Sequence, residues 1–348
     1  MNIAFILPSL LNHGPILVAK DLIEELLKNG HSCKVYYFDK ETELHFPCPV
    51  ERISFFKKIS FNHYDIIHSH LFRPDVYCAF HRSAIGPGTR LITTVHTDIF
   101  RDLRSAYGFL KGVVAPYIWK RAWKKMDTIV VLSQVAKDNY NKIGLTDKLA
   151  IINNGRNVPE SYEAVPQSDL DTILKFRSGY TLLGTVSIVD KRKGLEQVLL
   201  VLRDNPAYAF LVVGDGIERQ NLEKLAEDYG VANRLLMLGR RPQGFRYIPL
   251  FDLFLIPSRS EGMPLALLEA AALKTAAVCS DIPVFKEIFR DTEVSFFHLD
   301  STASLQAACT YGLANKAALE QNAYARYLKE YNVAGMAAHY IQLYQSTN

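Results

Sequence analysis

The sequence predicts an α/β protein of two doubly wound, Rossmann-like domains, and three observations carry that prediction. The chain has 348 residues, more than one ordinary core supports and the usual length for two domains. Hydrophobic residues make up 49% and charged residues 22%, a balance that fits a globular chain and excludes a disordered one. Short β-branched runs alternate with longer helical patterns almost from end to end, the form taken by stacked βαβ units around parallel sheets.

In the first half, strands are expected at Ile3–Leu7, Cys33–Phe38, Asp65–His68, Arg90–Val95, Thr128–Leu132 and Ala150–Ile152. Between the first two, Ile16, Ala19, Ile23 and Leu26 recur at helical spacing and run into Asn29-Gly30, a helix stop. Asn157–Gly179 has Pro159, Pro166, Ser161 and Ser168 with little periodicity, which predicts the linker. A second set of strands follows at Thr181–Val186, Phe210–Val213, Leu235–Leu238, Leu253–Pro257 and Ala276–Cys279. After Leu299 the pattern is helical, and Val333–Tyr344 reads as a final helix with Met336, Tyr340 and Leu343 on one face. The domains are thus expected at residues 1–165 and 166–330, with a helix at 331–348 that packs back on the first. Ligand crevices in such sheets lie beyond the carboxyl ends of the strands, so function is expected in those loops and in a central cleft that both domains face.

Several classes are excluded. No run approaches the roughly 18 uninterrupted apolar residues of a membrane span, and Ile3–Leu7 stops at Pro8 with no basic flank, so it reads as a strand and not a signal. Cys33, Cys48, Cys78, Cys279 and Cys309 are odd in number and widely spaced, which fits reduced thiols in a cytoplasm and neither zinc nor redox chemistry. Lys and Arg outnumber Asp and Glu by 21 to 17 over residues 1–170 and balance at 19 each over 171–348. That is too little for a nucleic-acid binder, yet it points the first half toward something anionic.

The strongest chemistry lies in Pro257-Ser-Arg-Ser-Glu-Gly-Met-Pro-Leu-Ala-Leu-Leu-Glu-Ala270. Pro264 is expected at the first helical position, where its missing N–H is not needed. Gly262 lets backbone approach a ligand, and the open N–H groups of a helix start favour an anion such as a diphosphate. Glu269 is the only charge in a helix apolar on every side, so its carboxylate needs partners; a ribose diol would serve, as would a neighbouring backbone group or Arg. Glu261 either accepts from sugar hydroxyls or is a solvated loop charge.

Glu261 and Glu269, eight apart, make this segment resemble the E-x7-E signature of the retaining GT-B-fold glycosyltransferases of family 4, the group 1 type. The likeness continues through His13-Gly14, Gly30-His31, Asp65-Ile-Ile-His68, Thr94-Val-His96, Val131-Leu-Ser133 and Ile152-Asn-Asn-Gly155. It extends through Lys193-Gly194, Val213-Gly-Asp-Gly216 and Leu238-Gly239, and so covers nearly the whole chain. What the resemblance implies is a donor site in which Glu269 binds the nucleotide ribose and Glu261 the transferred sugar. Gly262, Met263, Pro264 and Leu265, with Gly14, would lie along the donor, Lys193 would neutralise the leaving diphosphate, and His96 would face the donor sugar. His96, Lys193 and Glu261 are the expected catalytic residues. One departure stands out. Where similar enzymes carry Gly-Arg-Leu, this chain reads Ser187-Ile188-Val189, so the expected phosphate-binding Arg is an Ile; Lys191 and Arg192 are the candidates to reach the same oxygens.

Weaker signals are read against a function. Gly214-Asp215-Gly216 lacks the third glycine of a dinucleotide fingerprint, its place being taken by Arg219. Asp169-Leu170-Asp171 has the form of a metal-binding motif but sits in the expected linker, as surface charge. His68, His70 and His96 fall at strand ends without metal-ligand spacing. Arg101–Met126 interleaves Lys120, Arg121, Lys124 and Lys125 with Tyr117, Trp119 and Trp123, the composition of an interfacial membrane segment and equally of an ordinary helix pair.

The expected activity is therefore retaining transfer of a hexosyl group from a nucleoside diphosphate sugar, a UDP-sugar being favoured, to a hydroxyl of a saccharide or lipid-linked acceptor in bacterial surface polysaccharide synthesis. No metal, no cofactor beyond the co-substrate and no nucleic acid are expected. The setting is cytoplasmic, with peripheral contact to an anionic membrane surface through residues 101–126. A sugar-nucleotide epimerase and a non-catalytic sugar-nucleotide binder are the alternatives.

Overall fold

A computed structural model describes residues 1–96, 114–159 and 161–346. The chain forms two compact units, Met1–Arg156 with Tyr331–Asn348, and Asn157–Glu330. The first closes ahead of the expected boundary at 165/166. Residues 157–179 are also not simply a linker, because Gln167–Phe176 is a helix of the second unit whose buried face includes Asp169 and Ile173. Two prolines and a run of small polar residues obscured its short period.

In the first unit the strands are β1 (Asn2–Leu7), β2 (Ser32–Tyr37), β3 (Val50–Arg52), β4 (Ile66–His70), β5 (Arg90–Val95), β6 (Thr128–Val131) and β7 (Leu149–Ile151). They form one sheet in the order β3-β2-β1-β4-β5-β6-β7, all parallel. Strands buried on both faces read as continuous apolar runs, and β1 is buried from Ile3 to Leu7. Helix α1 (Gly14–Lys28) buries Ile16, Ala19, Ile23 and Leu26, the stripe read from the sequence. Helix α2 (Phe72–Phe80) follows β4, and the described part of α3 covers residues 114–123. Helix α4 is Gln134–Asn141.

The second unit has β8 (Thr181–Val186), β9 (Tyr208–Val213), β10 (Leu235–Gly239), β11 (Leu253–Ile256), β12 (Ala277–Ser280) and β13 (Ser295–Phe297), again one parallel sheet, in the order β10-β9-β8-β11-β12-β13. Its helices are α5 (Gln167–Phe176), α6 (Glu196–Asp204), α7 (Arg219–Asp228), α8 (Leu265–Ala272), α9 (Pro283–Ile288), α10 (Thr302–Ala314) and α11 (Lys316–Glu330). Both strand orders reverse direction beside the first strand of the unit, at β1/β4 and β8/β11, and such switch points open a crevice beyond the strand ends.

The last helix, α12 (Val333–Gln345), belongs to the first unit. Its buried face is Val333, Met336, Ala337, Tyr340 and Tyr344, so Tyr344 takes the place expected of Leu343. The i, i+4 spacing from Tyr340 to Tyr344 keeps the row in line with the axis. Arg90 at the start of β5 closes the helix end, donating to the carbonyls of Leu343 at 2.7 Å and Ser346 at 2.6 Å, where a cation meets the negative pole of the helix. Among the described residues no helix is long and apolar enough to cross a membrane.

Candidate active site

In the second unit, the loop after β8 and the loop after β11 are stitched together. The first makes a 3-10 turn, Lys191–Lys193, capped by Asp190, whose Oδ1 accepts from the Lys193 amide at 3.2 Å. It ends at Gly194 with φ +62°, and a Cβ there would stand 2.3 Å from the Pro257 carbonyl oxygen, so only glycine permits this approach. Gln197 from α6 spans both loops, donating to the carbonyls of Gly194 at 3.1 Å and Pro257 at 2.9 Å. The Arg259 amide donates to the Arg192 carbonyl at 2.7 Å, and its guanidinium reaches Glu196 at 2.6 Å and Asp300 at 2.5 Å. The two loops are therefore tied into one block.

That block sets Lys193 on Glu261. Lys193 Nζ donates to Glu261 Oε1 at 2.6 Å, and Ser258 Oγ donates to the same oxygen at 2.7 Å. The two charged side chains are only 16% and 9% exposed, so Glu261 is no solvated loop charge. Ser258 is itself fully buried, and its carbonyl accepts from Ser280 Oγ at the end of β12. Helix α8 begins one residue later than expected: Pro264 is its cap (φ −79°, ψ 110°), and Leu265 is the first helical residue. Met263 and Pro264 are buried, while Gly262 and Leu265 are half-buried. Glu269 is buried on α8 between Leu268 and Ala270.

The expected phosphate contacts differ from one another. Arg192 is held by Asp190 at 3.0 Å, whereas the Lys191 side chain is 84% exposed and stands 3.9 Å from Glu218. Ile188, in the place of the expected Arg, is solvent-exposed. Gly214 and Gly216 serve the same loop: a Cβ on either would meet the carbonyl oxygen of Ser187 at 1.8 Å or of Val189 at 2.3 Å. They admit a neighbouring strand end and do not form a dinucleotide turn. Asp169 is not surface charge; it is buried, accepting from Arg241 at 2.7 Å and from the Tyr247 hydroxyl at 2.5 Å, which holds its carboxyl below the usual range.

The ends of β4 and β5 in the first unit sort their polar side chains by the two-residue period of a strand. On one face, His70 Nδ1 lies 2.9 Å from His96 Nε2 and the rings stack with centroids 5.2 Å apart. Beneath them His68 bonds the Tyr344 hydroxyl through Nδ1 at 2.7 Å and Thr94 Oγ1 through Nε2 at 2.8 Å, and Thr94 meets the Tyr340 hydroxyl at 2.8 Å. Burial pushes His68 and His96 down to about 3 and His70 well below its ordinary value, so all three are neutral near pH 7. His70 Nε2 is buried with no hydrogen-bond partner among the described residues. The next residue, Leu71, holds φ +73°, an uncommon conformation for a non-glycine residue. His70, set aside in sequence as one of three strand-end histidines, is the one that the structure pairs with His96. Its signal was the spacing in His68-Ser69-His70, which puts two imidazoles on one strand face.

On the other face, Asp75 of α2 accepts from Ser69 Oγ at 2.6 Å, Thr93 Oγ1 at 2.7 Å, Trp119 Nε1 at 2.5 Å and Trp123 Nε1 at 2.8 Å. Complete burial pushes its carboxyl up to about 6 against the pull of those donors. Trp119 and Trp123 are thus core residues and not membrane-facing rings. Arg101, Arg104, Tyr107, Phe109 and Lys111 lie outside the described residues. Gly14, the first residue of α1, is half-buried. Among the described residues no group of three His, Cys, Asp or Glu side chains is placed to hold a metal ion.

Residues 17–159 match the family described as Glycosyltransferase Family 4, and residues 167–329 match Glycosyl transferases group 1. The chain belongs to the group 1 glycosyltransferases of the GT-B fold. It is 28% identical to the O-antigen biosynthesis glycosyltransferase WclY of Escherichia coli, over 99% of this chain and 98% of the relative. It is 27% identical to an Escherichia coli UDP-Gal:alpha-D-GlcNAc-diphosphoundecaprenol alpha-1,3-galactosyltransferase, over 66% of this chain and 61% of that one. In fold it is similar to Anabaena Alr3699/HepE, solved in complex with UDP and glucose, at TM-score 0.80 and 18% identity over the full length of both chains. Sucrose-phosphate synthase from Thermosynechococcus elongatus has the same TM-score, 0.80, at 18% identity over 99% of this chain and 98% of that one.

Proposed function

We propose that this glycosyltransferase moves a hexosyl group from a UDP-sugar to a hydroxyl of a lipid-linked or oligosaccharide intermediate of bacterial surface polysaccharide synthesis, with retention at the anomeric carbon and without a metal ion. It would act in the cytoplasm, peripherally on the inner membrane face. The names of the O-antigen and galactosyl relatives support the polysaccharide setting and the UDP-sugar.

The observation that carries the donor chemistry is the buried Lys193–Glu261 pair. An ammonium has three N–H groups, and one is spent on Glu261. The other two can turn to the diphosphate, whose charge grows as the glycosidic bond breaks; a preorganised cation at that point lowers the barrier more than it tightens ground-state binding. Among the described residues both hydrogen bonds to Glu261 end on Oε1, so Oε2 is the acceptor for a sugar hydroxyl. Gly262, Met263, Pro264 and Leu265 are assigned to the donor, as is Gly14. Glu269 is assigned the ribose diol, and Lys191 and Arg192 share the outer phosphate oxygens in place of the missing Arg at Ile188. His96 is assigned the contact to the donor sugar, as a neutral hydrogen-bonding ring and not as a charged acid.

A thermal-shift screen of nucleotide sugars, followed by assay of the best binder with and without acceptor, tests this reading. Acceptor-dependent UDP release that survives EDTA, with a product of the donor's anomeric configuration, is the expected result. Isomerised donor without acceptor would mark an epimerase. Stabilisation with neither reaction would mark a non-catalytic binder.

A further inference from the structure

The fold divides the rings that the sequence groups within residues 101–126: among the described residues Tyr117 is 68% exposed on α3, and the two tryptophans are buried. Trp119 and Trp123 turn inward onto Asp75, while Arg121, Lys124 and Lys125 remain exposed. A cluster of exposed rings gathers at the carboxyl end of α2. Phe56 is 78% exposed and Phe80 57%, and with the half-buried Phe55 they close a triangle of centroids 5.4, 5.7 and 6.0 Å apart. The triangle has a built base. The Tyr77 hydroxyl donates to the Lys57 carbonyl at 2.8 Å, His81 Nε2 stands 3.2 Å from the Phe55 carbonyl, and the His81 ring lies 4.6 Å from that of Tyr77. Two rings held outward on a rigid foundation are not accounted for by packing, which would turn them in.

The same bonds bring cations to the rings. Lys125 Nζ donates to the Ala79 carbonyl in the last turn of α2 at 3.0 Å, and Arg82 Nε donates to the Lys125 carbonyl at 3.2 Å. Lys148 Nζ donates to the carbonyls of Lys124 at 2.9 Å and Met126 at 2.6 Å. Lys125 and Lys148 are thus held by carbonyls, which orient the ammonium groups without neutralising them. Lys57 and Lys58 follow Phe56 directly and are exposed. The acids bonded to these cations or adjacent to them in sequence are Glu51, on Lys57 at 2.7 Å, Asp127, on Arg82 at 3.3 Å, and Asp147. Among the described residues named here, six cations stand against three acids.

We propose that Phe56 and Phe80, flanked by Lys58, Arg82, Lys124 and Lys125, dock this unit on an anionic lipid bilayer, with the rings at the acyl boundary and the cations on the headgroups. Cations around a small aromatic tip complement an anionic headgroup layer, and this is the composition that interfacial anchors use. The proposal deepens the peripheral-membrane reading above and rests on it for the class of partner. It does not depend on which sugar is transferred.

Co-sedimentation of the full chain with vesicles of phosphatidylglycerol and phosphatidylethanolamine, against vesicles of phosphatidylcholine alone, tests it. Wild type should partition to the anionic vesicles only. The double variants Phe56→Ser/Phe80→Ser and Lys124→Glu/Lys125→Glu should each lose on the order of tenfold or more in partition. All should keep the wild-type melting shift with UDP, so a failed donor reading shows up separately as no shift in any of them. Equal partition of wild type and both variants overturns the proposal, as does equal binding to phosphatidylcholine. A wild-type dimer that becomes a monomer on Phe56→Ser/Phe80→Ser also overturns it, because that result assigns the face to a second copy.

Discussion

The two units share a parallel, doubly wound sheet, yet the strand ends where a ligand would bind are built from opposite electrostatics. In the second unit they carry ion pairs: Lys193 with Glu261, Arg192 with Asp190, and Arg259 with Glu196 and Asp300. In the first unit, β4 and β5 end in three buried, uncharged imidazoles chained to hydroxyls. A charged block suits a nucleoside diphosphate, whose charge rises during reaction. Neutral rings suit sugar hydroxyls, which need hydrogen bonds and would gain little from a full charge. Topology supplies the position, and the residues at the strand ends supply the chemistry.

Removing the charge on one side should have the largest effect. Lys193→Ala should lower kcat on the order of 10²- to 10³-fold with a much smaller change in KM, measured by steady-state UDP release. If KM takes the whole loss, the cation acts in ground-state binding and the contrast between the units is one of affinity alone. Next, Gly194→Ala forces a Cβ against the Pro257 carbonyl at a positive φ and should destabilise the second unit by about 2–4 kcal/mol, read from chemical denaturation. Glu269→Ala should weaken donor binding by roughly 1–3 kcal/mol, measured calorimetrically with UDP-sugar and with UDP. An unchanged affinity would return Glu269 to the role of a structural carboxylate.

The first unit is broken with pH. Its histidines have folded pKa values depressed below the ordinary 6.5, so the unfolded chain binds more protons below that value. The stability they contribute is present above pH 6.5 and is lost as pH falls from there toward 3. Asp75 runs the other way. Its folded pKa, about 6, lies above the ordinary 3.8, so its contribution is present below 3.8 and lost as pH rises through 6. The two partly offset each other between these limits. Melting curves from pH 7 to pH 4 should therefore fall more steeply in Asp75→Asn and less steeply in His70→Phe than in wild type. Parallel curves for all three would mean that neither set of groups titrates across unfolding.

Much of this was legible beforehand. Strands such as Arg90–Val95 and Thr181–Val186 coincide with their expected ranges because β-branched and aliphatic residues dominate each run. The strands that escaped, Val50–Arg52 and Ser295–Phe297, are three-residue edge strands, too short to show a period. Glu261, Lys193 and Glu269 were legible as a signature. Their neighbours Ser258, Asp190, Gln197 and Arg259 were not: the first two are common loop residues whose bonds depend on the shape of a turn, and the last two reach a loop distant in sequence.

The amino-acid sequence by itself determined two doubly wound units, the glycine that opens the segment before α8, and a carboxylate placed in an otherwise apolar helix. These follow from local periods and from the steric properties of single residue types. Tertiary structure alone decided that Lys193 meets Glu261, that His70 stacks on His96, and that Trp119 and Trp123 turn inward while Phe56 and Phe80 stay in solvent. The physical reason is common to all of them. An aromatic or charged side chain suits either a core partner or a surface, and only the elements packed beside it determine which one it meets.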